Sequence, residues 1–503
     1  MSTQSFTVYD MFKRNARLFK NDPALVFDNG MITFGELLRQ VQSLSGSLLN
    51  QGIRKGDRIA ILAQNSHNFF LLFGAAAAIG AIVVPINWRL STEEIQYILL
   101  DSGPNAIFFD ENYGNLISEL RPKCQSLKYF IVFGKSEGNY VSFNELMGNY
   151  PAKESEVKRN DPYIIMYTAA VQGQPRGAIL SQDNIIFCNI HAVSIMGLTS
   201  NDTHLNILPL FHIAGFFLAF STMHVGGKNV IISKFDPTVV VEKIEKERVT
   251  IIASFPPILT QILAEISKGT YDLSSLKHVL GLDSPNTIAD FEKKTGSQFW
   301  LVYGQTETTG LITFCPNSER PGSAGKQGSL VNIKLVDEYD RDVEGGEKGE
   351  ILVQGPLVFN GYWKQEELTR YTLRDGWHHT GDIGRLDNEG YLWYAGRKGE
   401  KELIKPGGEN VYPVEVEKVI LEHPGIHEVS VIGVPDPKFG EGIKAVCVLK
   451  PNVRLSEQEL IEFVAAKIAR YKKPGYVSFI DLLPKKEDGS IDREKVKALY
   501  GHH

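Results

Sequence analysis

The sequence predicts a large N-terminal α/β domain, with parallel-rich sheets and a small β subdomain, followed by a smaller α+β C-terminal domain. The first observation behind this is length: 503 residues exceed one compact core, since domains usually hold about 100–200 residues. The second is that short apolar runs alternate with helical periodicity early in the chain, the pattern of parallel strands joined by crossover helices. The third is a change of texture to short strands with acidic, Gly-rich turns between residues 330 and 350, then a mixed pattern beyond Arg397. The expected division is residues 1–397 and 398–503.

In order along the chain, Thr33-x-x-Glu36 is a capping box, in which hydroxyl and carboxylate satisfy orphan amides at a helix start. Leu37, Val41, Leu44 and Leu48 follow at helical spacing, and Gly52 supplies a stop. Arg58–Leu62 is a short apolar strand. Residues 69–84 read FFLLFGAAAAIGAIVV, shorter than the roughly 20 residues a membrane-spanning helix needs. A buried helix running into a buried strand that ends at Pro85 is expected, and no transmembrane segment. Ser91-x-x-Glu94 opens the next helix, and residues 105–109 form another strand. Toward the C-terminus the expected elements are a helix over Pro413–Leu421, strands over residues 429–434 and 444–449, and a helix over 456–468. The polar run RKGEK from Arg397 reads as a connector.

Hydrophobic residues at 43% and charged residues at 22% exclude disordered, collagen-like and coiled-coil classes. A net charge of −6 argues against nucleic acid as a primary partner, though not against a local basic groove for a phosphorylated ligand. Cys124, Cys188, Cys315 and Cys447 lie far apart without a CxxC pair, which argues against a disulfide framework or structural zinc and for a reducing cytoplasm. The N-terminus lacks the apolar core of a signal peptide.

The segment from Tyr167 to Asn184, YTAAVQGQPRGAILSQDN, combines small residues, glycines, a proline and a cation before a helical pattern. Such a loop exposes backbone amides to a polyphosphate while the cation neutralises charge. It resembles the Tyr-Thr-Ser-Gly-Thr-Thr-Gly-x-Pro-Lys-Gly signature of the adenylate-forming superfamily, which includes acyl-CoA synthetases, luciferases and adenylation domains. Further colinear matches are Thr33-Phe34-x-Glu36-Leu37, Pro209-Leu210-Phe211-His212-x-x-Gly215, Tyr303-Gly304-Gln305-Thr306-Glu307, Thr380-Gly381-Asp382, Gly396-Arg397, Gly407-Gly408-Glu409-Asn410-Val411-Tyr412-Pro413, Val434-Pro435-Asp436 and Tyr471-Lys472-x-Pro474. The acid–CoA ligase branch is the most similar.

The resemblance implies a two-step reaction using ATP, Mg²⁺ and coenzyme A. A carboxylate attacks the α-phosphorus of ATP to give acyl-AMP and pyrophosphate, and the CoA thiol then displaces AMP. It implies that Glu307 holds Mg²⁺, that Thr306 contacts the α-phosphate with Thr168 and Arg176 in the loop, and that Tyr303 and Gly304 flank the adenine. Asp382 accepts from the ribose hydroxyls, and Arg397 reaches ribose or phosphate. On the acid and pantetheine side it implies Phe211, His212, Phe216, Leu282 and Asp283, with Gly407 and Gly408 admitting the thin pantetheine arm. It also implies a mobile C-terminal domain hinged just after Arg397, where Gly399-Glu400 make this chain two residues longer. Phe211, Phe216, Phe217, Leu282 and Ile312 suggest an apolar pocket for a medium-chain, alicyclic or aromatic acid.

Three departures stand out. Ala169-Ala170-Val171-Gln172 replaces the hydroxyl-rich part of the loop, with Arg176 in place of lysine. Gly281-Leu282-Asp283-Ser284-Pro285 stands where Ser-Gly-Gly-Ala-Pro is common. Ser490 occupies the position of the lysine that bridges carboxylate and phosphate in the family. Lys485, Lys486 and Lys495 are its basic neighbours. The same chemistry run in reverse to make ATP, or an adenylation-deficient homologue that binds acyl-CoA or acyl-AMP, remain alternatives to the ligase.

Overall fold

The computed structural model describes residues 6–28, 30–135, 140–148, 154–168, 174–398, 403–486 and 489–502. Residues 169–172 of the phosphate loop and Gly399-Glu400 of the connector lie outside them.

The N-terminal domain carries two large sheets. One has seven strands, with Arg58–Leu62 flanked by Ile82–Pro85 and Ala106–Asp110; every pairing is parallel except that of Pro162–Thr168 with Arg176–Ser181. The other has nine strands. Its centre, from Pro23–Phe27 through Thr203–Asn206 and His278–Gly281 to Gln298–Gln305, is parallel, and antiparallel strands close both edges. The capping boxes at Thr33 and Ser91 both form and start helices Phe34–Asn50 and Thr92–Ser102. The apolar stretch folds as the helix His67–Ile79 and the strand Ile82–Pro85. Gly80 between them adopts φ 71°, a left-handed turn that glycine tolerates.

That helix is buried on all sides, which explains its uniform apolarity. It shares one core with Ile59 and Ile61 of the seven-stranded sheet, Leu25 and Ile231 of the nine-stranded sheet, and Phe216 and Phe220 of helix Ile213–His224. The small β subdomain is a four-stranded antiparallel sheet of Asn332–Val336, Lys348–Gln354, His378–Leu386 and Leu392–Arg397.

The C-terminal domain folds around its own three-stranded sheet. Ile426–Asp436 and Gly440–Leu449 pair antiparallel, and Tyr476–Ile480 joins in parallel. Helix Pro413–Leu421 has the expected bounds, whereas strand Tyr476–Ile480 and helix Arg493–Tyr500 carry no strong periodic signal in the sequence. The carboxyl ends of the central parallel strands of the nine-stranded sheet open toward this domain, the usual place for a ligand in an open α/β sheet.

Candidate active site

A cleft of about 470 Å³ lies between the two domains. Its floor is the carboxyl end of three parallel strands, contributing Ala253, Leu280 to Leu282, and Val302 to Thr306. The strand Gln298–Gln305 turns sharply there into a single 3₁₀ turn over Thr306–Thr308, and the backbone amide of Gln305 donates to Thr308 Oγ1 (2.9 Å). Gly304 is required at this bend because a Cβ would stand 1.9 Å from the Gly310 carbonyl oxygen.

Behind the strand end lies Asp382, only 2% exposed. Its Oδ2 accepts from Tyr303 Oη (2.8 Å) and from Gln305 Nε2 (2.5 Å). Arg397 Nε stands 2.6 Å from Oδ1 as an ion pair, but its N–H is not aimed along that line. Neither atom therefore has a hydrogen-bond partner among the described residues. Burial alone would lower the Arg397 pKa; Asp382 foremost, then Tyr412 and Tyr394, raise it instead, so the guanidinium stays charged. Arg397 also donates from Nη1 to Tyr412 Oη (3.1 Å), linking the last strand of the β subdomain to the C-terminal domain.

Glu307 faces the cleft with Thr306, Thr168 and Arg176. Its Oε1 accepts from Tyr362 Oη (2.8 Å), and the Arg176 guanidinium stands 5.8 Å from the Tyr362 ring centre. Burial, and then the negative Glu307, raise the Tyr362 pKa and keep it a neutral donor. Thr168 and Arg176 are partners at the ends of two antiparallel strands, so the intervening loop starts and finishes at one wall of the cleft.

The apolar wall comes from helix Ile213–His224 and the antiparallel strand Gly310–Pro316, with Ala214, Phe217, Leu218 and Leu311 facing in. Phe216 does not face the cleft. Consecutive residues on a helix point about 100° apart, and Phe216 packs into the core 4.9 Å from Phe73 and 4.1 Å from Phe220, measured between ring centres. Strand alternation makes the same correction at Ile312, which is fully buried while Leu311 lines the cleft. Asp283 also lies outside the lining: its Oδ1 accepts from the Ser284 amide (2.8 Å) at a helix start. Phe211 lines a narrower neighbouring pocket with Pro85, Leu90, Tyr471 and Glu409. His212 borders both pockets. Its Nδ1 accepts from the Ala214 amide (3.2 Å) as a helix cap, and burial lowers its pKa, so the ring is held neutral.

From the C-terminal domain, Gly408, Asn410, Tyr412, Gly440 and Glu441 complete the cleft. Gly408 adopts φ +84°, and a Cβ there would lie 2.9 Å from Phe255, so only glycine lets this loop approach the strand ends. Gly407 packs behind it, with a Cβ position 3.2 Å from the Pro256 carbonyl oxygen, and does not line the cleft. Sequence reasoning overlooks Lys405, two residues earlier. Its amide donates to Glu441 Oε2 (2.7 Å), and its ammonium sits 5.8 Å from the Tyr394 ring centre, inside the cleft. The signal available was a lysine directly before the Pro-Gly-Gly turn. Sequence reasoning also passes over Tyr362, Tyr394 and Phe255, because an isolated aromatic reads as core, and gives Tyr412 no role although it lies within the Gly407–Pro413 motif.

Ser490 is not among the lining residues; Lys485 pairs with Ile491 on either side of it, and the Lys486 amide donates to the Ser490 carbonyl (2.8 Å). The domains meet instead through Arg89 with Glu409 and through Lys472 with Glu94, while Glu415 of its own domain also pairs with Lys472.

Residues 12–363 match the family described as AMP-binding enzyme, and residues 415–490 match its C-terminal domain. An indoleacetate–CoA ligase of Aromatoleum aromaticum is 31% identical over 97% of this chain and 96% of its own. A feruloyl-CoA synthase of Amycolatopsis is 33% identical over 97% and 98%. Among solved structures, o-succinylbenzoate–CoA synthetase of Bacillus subtilis is 30% identical, with 97% of both chains covered. A double mutant bound to a CoA product analogue superposes with a TM-score of 0.86, whereas the acyl-adenylate complex of the same enzyme gives 0.70. With identity and coverage equal, the gap is one of shape. The colinear motifs, the two-domain fold and the full-length similarity together make this chain a member of the AMP-binding, adenylate-forming enzyme family.

Proposed function

We infer that this chain is an ATP-dependent carboxylic acid–CoA ligase that forms an acyl-adenylate, releases pyrophosphate and then transfers the acyl group to the CoA thiol, with an aromatic acid as the preferred substrate class. The observation that carries it is the division of one cleft: Arg176, Thr306 and Glu307 occupy one part, Phe217, Leu218 and Leu311 another, and the Gly408 loop a third. Triphosphate, acid and thiol each have chemistry to meet them.

The electrostatic difficulty of the first step is bringing an anionic carboxylate to an anionic phosphate. Arg176 and Arg397 supply fixed positive charge there, which in a water-excluded site acts far more strongly than in bulk. Asp382 Oδ1, which carries the Arg397 ion pair but accepts no hydrogen bond, suits a ribose hydroxyl, since a carboxylate accepts from two donors. Tyr303, held by Asp382, offers its ring to the adenine.

Mg²⁺ is commonly held by one or two carboxylates plus substrate phosphates. Glu307 fits that donor set: Tyr362 takes Oε1, and no described residue bonds Oε2. Bound there with ATP, the ion would neutralise charge on the phosphates; the orientation of the carboxylate comes from Tyr362.

Apolar residues and the relatives named for indoleacetate and ferulate favour an aromatic acid. The functional division is proposed at residues 397 and 398. The four buried free cysteines suit a reducing cytoplasm, and no described helix is long and apolar enough to cross a membrane. The test is thioester formation from ATP, CoA and a panel of aryl, arylalkyl and aliphatic acids. Aryl or arylalkyl acids are expected to give the highest kcat/KM; thioester from none of them would overturn the reading.

A further inference from the structure

The inference rests on the ligase reading and concerns what aims Asp382 at the ribose. Between the register pairs Glu350–Ile383 and Leu352–His379, Ile351 alone stands opposite Thr380, Gly381 and Asp382. The strand His378–Leu386 therefore bulges there, and a bulge takes backbone groups out of the ladder and re-aims a side chain. Gly381 adopts φ 72° within it. The bulge is held in one shape by short contacts: the Gly381 amide donates to Glu350 Oε1 (2.8 Å), Thr380 Oγ1 to the Ile351 carbonyl (2.7 Å), and the Asp382 amide to Thr380 Oγ1 (3.0 Å).

Glu350 also reaches past the neighbouring strand Leu392–Arg397. Lys398 Nζ stands 2.7 Å from Glu350 Oε2, and the Lys398 amide donates to the Gly381 carbonyl (3.0 Å). Glu350, Gly381 and Lys398 thus close a ring. Gly381 directly precedes Asp382 and Lys398 directly follows Arg397, two residues that stand opposite each other in the ladder. Glu350 itself is buried and does not line the cleft. Burial alone would raise its pKa; His379, Lys398 and the Gly381 amide bring it down to about 2, so it is ionised at neutral pH. Side-chain ligand atoms of Asp340, Glu350 and His379 lie close enough together to share a cation. Lys398 at Glu350 and Arg374 at Asp340 (3.0 Å) already supply the positive charge, so the cluster is a positioning network and carries no metal site.

We propose that Glu350 is a positioning residue for nucleotide recognition, which fixes the Asp382–Arg397 pair at the ribose by holding Gly381 and Lys398 from behind. Tyr303 and Gln305 occupy Asp382 Oδ2, so the shape of the bulge decides where Oδ1 points. A buried charged acceptor suits this task, because leaving either the amide or the carboxylate unpaired is costly and alternative shapes of the bulge are disfavoured. Glu350 touches no substrate; its effect on the reaction passes through Asp382.

Thioester formation at saturating acid and CoA tests this, with ATP, 2′-deoxy-ATP or 3′-deoxy-ATP as the varied nucleotide and an acid the wild type turns over. The readout is the ratio of kcat/KM for ATP to that for each deoxy analogue. A variant that is only partly folded loses activity with every nucleotide alike and leaves this ratio unchanged. Glu350→Ala is expected to lower the ratio for at least one analogue about tenfold, the scale for one hydrogen bond to a charged group, and to raise KM for ATP but not for the acid. Lys398→Ala, at a partly exposed position, loses one link of the ring and should move the ratio in the same direction by less. In an Asp382→Ala background, Glu350→Ala should move it no further, as for two residues acting through one contact. A wild-type ratio in Glu350→Ala, or in Lys398→Ala should the first variant not fold, would overturn the proposal while Asp382→Ala still lowers the ratio. A wild-type ratio in Asp382→Ala would remove the ribose assignment and the proposal with it. A wild-type enzyme that makes thioester from no acid would remove the ligase reading itself.

Discussion

Lys472 Nζ stands 2.5 Å from Glu94 Oε1 and 2.7 Å from Glu415 Oε2, so one buried ammonium ties the C-terminal domain to helix Thr92–Ser102 of the N-terminal domain. Burial alone would lower the Lys472 pKa; Tyr471, Glu415 and Glu94 raise it instead, so the charge is kept. Glu94 also closes the capping box at Ser91, with its Oε2 accepting from the Ser91 amide (2.8 Å). A local helix signal and an interdomain brace thus use the same carboxylate.

Removing that ammonium leaves two carboxylates facing each other in a mostly buried interface. Lys472→Ala is expected to destabilise the closed arrangement by about 3–5 kcal/mol, the cost of breaking a buried pair by deleting one partner. Limited proteolysis between the domains should accelerate, and the thioester step measured from acyl-AMP should slow. Unchanged protection would show that the brace does not hold the domains together.

Glu307, oriented by Tyr362, is the carboxylate proposed to hold the metal. Glu307→Ala should reduce Mg-ATP-dependent pyrophosphate exchange by about 10²–10³-fold, with a raised Mg²⁺ requirement, while leaving thioester formation from synthetic acyl-AMP much less affected. Wild-type exchange in this variant would remove the metal assignment.

His191, His204 and His224 are buried, and desolvation pushes each pKa down to about 4. The unfolded chain, with imidazoles near 6.5, then binds more protons than the native one between these values. Stability should be fully present above pH 6.5 and fall as pH drops toward 4, by up to about 3 kcal/mol for each ring at 1.36 kcal/mol per unit. Denaturant titrations at stepped pH should show this positive slope, and a flat profile across that window would contradict the burial of neutral rings.

Phe217 closes the apolar wall. Phe217→Leu should raise KM for aromatic acids about tenfold, equivalent to about 1.4 kcal/mol, with kcat for the thioester step from acyl-AMP little changed. Steady-state kinetics over the acid panel would measure it, and an unaltered KM would move the aryl site elsewhere in the cleft.

Much of this protein was legible in its sequence because the relevant forces are local. The Thr33 and Ser91 caps fix helix starts through contacts three residues apart. The uniform apolarity of residues 69–79 declares burial on every side, and the YGQTE run marks a strand end that bends at Gly304. Tyr303, Thr306, Glu307, Thr168 and Arg176 were named from motifs and do meet in one cleft.

Side-chain direction and domain placement were not legible, because they depend on partners distant in the chain. Phe216 and Phe217 are chemically identical neighbours, and only the packing of Phe73 and Phe220 sends one to the core and leaves the other at the cleft. Asp283 sits within a motif yet caps a local turn, while Lys405 sits outside any motif and reaches the site. The sequence by itself determined the family, the order of elements and the chemistry on offer, through short-range signals. Tertiary structure decided which residues share the cleft and which orientation joins the domains, since the Glu94–Lys472 contact links positions 378 apart and acquires its strength only where both charges leave water.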